Sequence, residues 1–249
     1  MPSKPRRSFR PLGPALALGL LLAGTGSAVS SLTQATSPTL ELTSAPRTAT
    51  DAAARRVMPL GDSITDGYNI PGGYRIPLLP ALNAAGLRVD LVGSARNGPA
   101  SLADRDHEGH SGWRIDQLLA EVDGWLSSAQ PDVILLMIGT NDMIQNRDVA
   151  TAPARLGTLL DRIAARRPAA TILVASLPPL SDPAGNARVR AFNAALPGVV
   201  RARAALGRWV RLVDASARLT PADLADGVHP NEGGYRKLAE MWLGALRGL

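Results

Sequence analysis

A chain of 249 residues is long enough to bury one sizeable core, and its lack of any cysteine excludes disulfides, zinc–thiolate sites, a thiol nucleophile and a lipid-modified N-terminal cysteine together. Its net charge of +6 is mostly N-terminal, because the first 55 residues hold six basic and two acidic side chains and the remainder carries only +2. Arginines are spread over helix faces without interleaved aromatics, so there is no nucleic-acid footprint.

Lys4, Arg6, Arg7 and Arg10 precede the apolar run Leu12–Ala23, and small residues from Gly24 to Ser30 follow. This is the order of a secretory signal peptide, expected over residues 1–30. The run is shorter than the ~20 residues that span a bilayer, so cleavage between Ala28 and Ala35, secretion, and no stable membrane association afterwards are expected. An uncleaved anchor is the alternative. Arg6-Arg7-Ser8-Phe9 also suggests the twin-arginine export route. Residues 31–54, rich in Ser, Thr, Ala and Pro without apolar periodicity, read as a flexible linker, and residues 55–249 as the folded domain.

Within that domain, Val57–Leu60 is a short apolar run ending in Gly61-Asp62-Ser63. It reads as a buried strand delivering a serine to the carboxyl edge of a sheet, where open α/β sheets bind ligands. A helix cap at Asp62 or Ser63 is the plainer alternative. A Gly/Pro-rich turn leads into helical spacing over Tyr74–Ala85, which Pro77 and Pro80 interrupt. Val89–Ser94 alternates as a second strand, 95–112 is expected to be a long loop, and Ile115–Ser128 is an amphipathic helix. Val133–Ile138 is a continuous apolar run, as in a strand buried on both faces of a parallel sheet, and it lands on Gly139-Thr140-Asn141-Asp142. A helix over 151–166, a strand Thr171–Ser176, a helix Ala187–Leu206 broken near Pro197-Gly198, a strand Trp209–Val213 and a helix Gly233–Leu246 follow. This alternation predicts a parallel sheet with helices on both faces.

Three strands end in a glycine followed by a polar residue: Gly61-Asp62-Ser63, Gly93-Ser94 and Gly139-Thr140-Asn141. A serine hydroxyl is a poor nucleophile until a base takes its proton and donors hold the oxyanion. The Ser63 N–H, the Gly93 N–H and the Asn141 amide are candidate donors, with tight turns as the alternative for each glycine. Of the three histidines, His107, His110 and His229, the last lies in Asp226-Gly227-Val228-His229-Pro230. A carboxylate three residues ahead can fold back onto Nδ1–H and leave Nε2 free for the serine proton. Taken alone, such a pair is more often a surface turn or half a metal site.

With these four blocks, the chain resembles the SGNH (GDSL-type) hydrolases, whose signature residues match Ser63, Gly93, Asn141 and His229. The resemblance runs from Val57 to Trp242. It implies an α/β fold, a flavodoxin-like three-layer α/β/α sandwich with a five-stranded parallel sheet of strand order 2-1-3-4-5. It also implies Ser63 as nucleophile, His229 as base, Asp226 as its orienter, Ser63, Gly93 and Asn141 as the oxyanion hole, Asp62 as the residue that holds the turn, and no cofactor. Gly72-Gly73-Tyr74-Arg75, the stretch Asp106–Asp116 and Leu136–Met143 are further similar to acetyl xylan esterases of carbohydrate esterase family 3, which makes Arg75, His110 and Trp113 candidate substrate contacts. Trp113 could stack on a sugar ring, but capping a helix–sheet seam is the favoured reading. The loop 104–110 groups several hard-cation ligands, but Arg105 interrupts them and no helical spacing aligns the histidines, so a hydrogen-bonded loop without metal is expected.

The function so implied is a secreted, monomeric serine esterase that removes short acyl groups, acetyl above all, from a small-molecule or polysaccharide ester. A lipase acting on longer acyl or lipid esters and a non-catalytic carbohydrate-binding or cell-wall module on the same fold are the alternatives.

Overall fold

The computed structural model describes residues 53–249; the expected signal peptide and all but the last two residues of the expected linker lie outside them. The strands are β1 (Arg55–Gly61), β2 (Val89–Leu91), β3 (Ala95–Arg96), β4 (Asp106–Gly109), β5 (Val133–Met137), β6 (Thr171–Ala175) and β7 (Val210–Val213). The helices are α1 (Ser63–Asp66), α2 (Arg75–Ala84), α3 (Ile115–Ala129), α4 (Thr140–Ile144), α5 (Ala152–Arg166), α6 (Pro183–Ala204) and α7 (Glu232–Arg247).

Side-chain alternation on β1 and β5 divides the core into two apolar layers. Met58, Leu60, Ile134 and Leu136 face α3, α5 and α6, whereas Val57, Val133, Leu135 and Met137 face α2 and α7. Every residue of β5 is buried, as its unbroken Val-Ile-Leu-Leu-Met requires of a central strand covered on both sides. The strands β2, β1, β5, β6 and β7 pair in parallel in that order, so the α/β/α sandwich is present, but among the described residues its sheet has seven strands rather than the expected five, because β3 and β4 join it.

The loop expected over 95–112 needs correction. It contains β3 and β4, which pair antiparallel, and β4 also pairs in parallel with the end of β1 through Leu60↔Glu108 and Gly61↔Gly109. β2 occupies only the beginning of β1, up to Val57↔Leu91. Two short strands therefore share one edge of β1. No apolar pattern marks Asp106-His107-Glu108-Gly109, because its buried residues are held by polar partners: Glu108 accepts from the Ser94 N–H and hydroxyl, each at 2.7 Å.

The prolines break less than their positions suggest. Pro77 falls in the first turn of α2, where its missing N–H has no intrahelical partner to lose. Pro80 and Pro197 lie inside helices that continue through them. An internal proline costs about 3 kcal/mol. In α6 that cost is opposed by Val189, Phe192, Leu196 and Val200, buried in one cluster on both sides of Pro197.

Candidate active site

Ser63 stands at the first position of α1, just past the carboxyl end of β1. Asp62 is the helix cap, its Oδ1 accepting from the Ile64 N–H at 3.0 Å, so capping and presentation of the serine are two duties of one turn. Asp62 is fully buried; burial pushes its carboxyl up to about 6, against the downward pull of the Ile64 N–H, the Thr140 hydroxyl and His229.

Across from Ser63, the loop before α7 folds on its own carboxylate. Asp226 Oδ1 accepts from the N–H groups of Val228 and His229, and Oδ2 lies 2.7 Å from His229 Nδ1. His229 Nε2 lies 2.9 Å from Ser63 Oγ. Partial burial works upward on the Asp226 carboxyl, but the His229 backbone and ring and the Val228 N–H outweigh it and hold the group below its ordinary value. Asp226 is therefore anionic at neutral pH and accepts Nδ1–H, which leaves the Nε2 lone pair facing the serine hydroxyl. Such a line can pass the Ser63 proton to His229. Asn69 staples the two loops together: its Nδ2 donates to the Pro230 carbonyl at 2.9 Å and its Oδ1 accepts from the Tyr235 hydroxyl at 3.1 Å.

Gly93 is not part of this constellation, and the expectation placing it there is corrected. Val57 pairs with Leu91, so Gly93 is level with Pro59, two residues or roughly 7 Å short of the end of β1. It is a glycine because a Cβ there would stand 2.1 Å from the His107 carbonyl oxygen. The backbone that reaches the level of Ser63 on this side is the turn after β4, where the His110 N–H donates to the Gly61 carbonyl. Within that turn Gly112 has φ of 83°, and nothing lies within 4 Å of where its Cβ would be. Among the described residues, neither the Gly112 N–H nor the Ser63 N–H donates to a protein acceptor.

Asn141 joins this turn from the other side. Its Nδ2 donates to the Trp113 carbonyl at 2.9 Å, which fixes the amide plane and commits one of its two N–H bonds. Asp142, fully buried, accepts from the Ile115 N–H and from Arg155. Two successive α4 residues thus clamp the segment Trp113–Ile115.

The three expected substrate contacts fare differently. Arg75 is fully buried and donates to the carbonyls of Asn97, Arg105 and Asp66 and to Asn97 Oδ1, so it ties the loop 95–105 to α1 and is unavailable to substrate. The ring of His110 stacks against both Trp113 and Trp125, at 4.4 and 4.5 Å, the two indoles also touching each other at 5.9 Å, and its Nε2 bonds Glu108 at 2.7 Å. Trp113 packs against the α3-side core as well as His110, in keeping with the seam-capping reading. All three therefore hold the walls of the site together.

In the loop 104–110, Asp104 accepts from the N–H groups of Leu91 and Asp106, and Asp106 accepts from Arg96. His107 is buried with Nδ1 accepting from Gly109, and burial, Arg75 and His110 push it down to about 3, so the ring is neutral. Among the described residues, no group of three or more His, Asp or Glu is arranged to hold a metal ion.

Two contributors had weak or no sequence signals. Gly112 lies within the stretch Asp106–Asp116, but only the register of β4 against β1 distinguishes it from Gly93. Asn69 bonds a carbonyl 161 positions away, which no local pattern announces.

The model of the GDSL-like lipase/acylhydrolase family matches residues 60–237. A multidomain esterase of Ruminococcus flavefaciens is 34% identical over 238 residues, which are 83% of this chain and 30% of that protein, so the chain spans less than a third of that relative. Among solved structures, a family 3 carbohydrate esterase of Clostridium thermocellum aligns with a TM-score of 0.70 and 37% identity, over 78% of this chain and 99% of the other. A carbohydrate esterase family 3 structure from Talaromyces cellulolyticus aligns with a TM-score of 0.70 and 32% identity, over 78% and 97% of the two chains. The chain belongs to the GDSL-like lipase/acylhydrolase family.

Proposed function

We propose that this protein is a serine esterase that removes short acyl groups, acetyl above all, from carbohydrate. The observation that carries the proposal is the line from Asp226 through His229 to Ser63, with separations of 2.7 and 2.9 Å. Likeness to family 3 carbohydrate esterases supports the substrate class.

In the reaction, Ser63 Oγ attacks the ester carbonyl carbon while its proton passes to His229 Nε2, and the carboxylate of Asp226 stabilises the imidazolium. The electron pair displaced onto the carbonyl oxygen is held by the N–H groups of Ser63 and Gly112 and the remaining N–H of Asn141. Gly112 takes the place first expected of Gly93. The bond to the alcohol oxygen then breaks, His229 returns its proton to that oxygen, and an acyl-serine remains. Water, deprotonated by the same imidazole, attacks the acyl-serine, and the proton returns to Ser63 as the acid leaves. We place this activity outside the cell, on the basic-then-apolar order of residues 4–23.

The test is release of acetate from acetylated xylo-oligosaccharides and hydrolysis of nitrophenyl esters of graded chain length, by the wild type and Ser63→Ala. The variant should remain folded and lose at least ~10³-fold in kcat. Retention of most activity would sink the serine mechanism; a preference for long acyl chains would turn the reading toward a lipase.

A further inference from the structure

We propose that Tyr68 is the platform for the alcohol side of the ester, its exposed face receiving the sugar ring that carries the departing oxygen. This deepens the esterase reading above and rests on it. Tyr68 is 66% exposed, unusual for a side chain with so much apolar surface, and its ring centroid lies 5.1 Å from that of His229, with the planes at 36°. Its backbone is firmly held. The Tyr68 N–H donates to the Ser63 carbonyl at 3.0 Å, and the next residue, Asn69, is bonded to the Pro230 carbonyl beside His229. The ring is thus carried on the join between the serine loop and the histidine loop, while most of its own surface faces solvent.

The chemistry assigns a side to each part of the substrate. His229 Nε2 must deliver its proton to the alcohol oxygen, so the alcohol lies toward the imidazole, whereas the carbonyl oxygen lies toward Gly112 and Asn141. Tyr68 adjoins the imidazole and is therefore next to the alcohol, not the acyl group. A pyranose has an apolar face of C–H groups that packs on an aromatic ring without requiring charge, and a tyrosine with only two side-chain torsions loses little entropy in presenting one. The competing account is that Tyr68 merely packs on His229. The two accounts differ in selectivity.

The experiment measures kcat/KM for the wild type, Tyr68→Phe, Tyr68→Trp and Tyr68→Ala in two series, with urea unfolding midpoints to establish that each variant is folded. One series keeps the acetyl group and varies the alcohol from ethanol through cyclohexanol to xylobiose. The other keeps ethanol and varies the acyl group from acetyl to butyryl. Tyr68→Ala should lower the ratio of xylobiosyl acetate to ethyl acetate about tenfold, equivalent to about 1.4 kcal/mol, while Tyr68→Phe and Tyr68→Trp keep that ratio within about twofold. The acyl-series ratios should move little in all three. An equal loss on ethyl and xylobiosyl acetates, or a shift confined to the acyl series, would overturn the platform. So would a wild-type sugar preference that survives in Tyr68→Ala. A wild type with no preference for the sugar ester would overturn the carbohydrate reading itself and, with it, the sugar as the partner of this ring.

Discussion

Asn141→Ala separates stabilisation of the oxyanion from binding of the substrate. On the proposed mechanism, the ester carbonyl is neutral in the ground state and asks little of a donor, but as Ser63 attacks, that oxygen takes up a full charge and the bond from Asn141 strengthens. Loss of one such donor lowers kcat by about 10²–10³-fold, or roughly 3–4 kcal/mol, with KM little changed. The same substitution removes the 2.9 Å bond to the Trp113 carbonyl. That single part-buried bond is worth about 1 kcal/mol of stability, small against the ~5–15 kcal/mol of a typical domain, so the variant should fold. Asn141→Asp should be no better, since a carboxylate sets acceptors against both the Trp113 carbonyl and the developing oxyanion. The assay is steady-state kcat and KM on one acetyl ester for the wild type and both variants, with a urea unfolding curve for each. A rise in KM with kcat intact would show that Asn141 binds substrate only, and recovery of kcat in Asn141→Asp would refute the need for a donor there.

Three further outcomes follow from the packing around Ser63. Between the ordinary carboxylate value of 3.8 and about 6, folded Asp62 holds a proton that the unfolded chain has released, so its contribution to stability falls as pH rises through that window and costs about 3 kcal/mol above it. Asp62→Asn keeps an oxygen to cap Ile64 and removes the charge, so urea midpoints of variant and wild type should converge near pH 4 and separate in the variant's favour toward pH 7; parallel pH profiles would contradict the raised value. Gly93→Ala drives a Cβ onto the backbone of His107 and should cost about 3 kcal/mol or more, whereas Gly112→Ala enters open space and bears only left-handed strain of about 1–2 kcal/mol, an order that denaturant unfolding would check. Asn69→Ala should lower stability by about 1–3 kcal/mol, because the buried Tyr235 hydroxyl loses its acceptor, and should reduce kcat more than KM as the histidine loop loosens from the serine loop; an unchanged kcat would show that the staple does not set the Ser63–His229 distance.

The contacts legible in the sequence are those made over short distances along the chain. Asp226 and His229 are three residues apart, so one local turn is enough to bring the carboxylate to Nδ1. The unbroken apolar residues of β5 demand cover on both faces, which is enough to call for a parallel sheet between helices. Gly61-Asp62-Ser63 was open to two readings, a cap and a presented serine, and both are correct because capping α1 is how the turn is built. Tertiary structure decided what depends on neighbours brought from elsewhere in the chain. Gly93 and Gly112 both stand near a polar residue in the sequence, and the division of one edge of β1 between β2 and β4 alone puts the second, not the first, at the level of Ser63. Arg75 is a candidate substrate contact by resemblance until its carbonyl partners close around it. Pro197 reads as a break until the burial on either side of it exceeds the lost hydrogen bond. For Pro197 the local preference is worth about 3 kcal/mol, and what opposes it is packing against strands and helices that only the folded chain brings together.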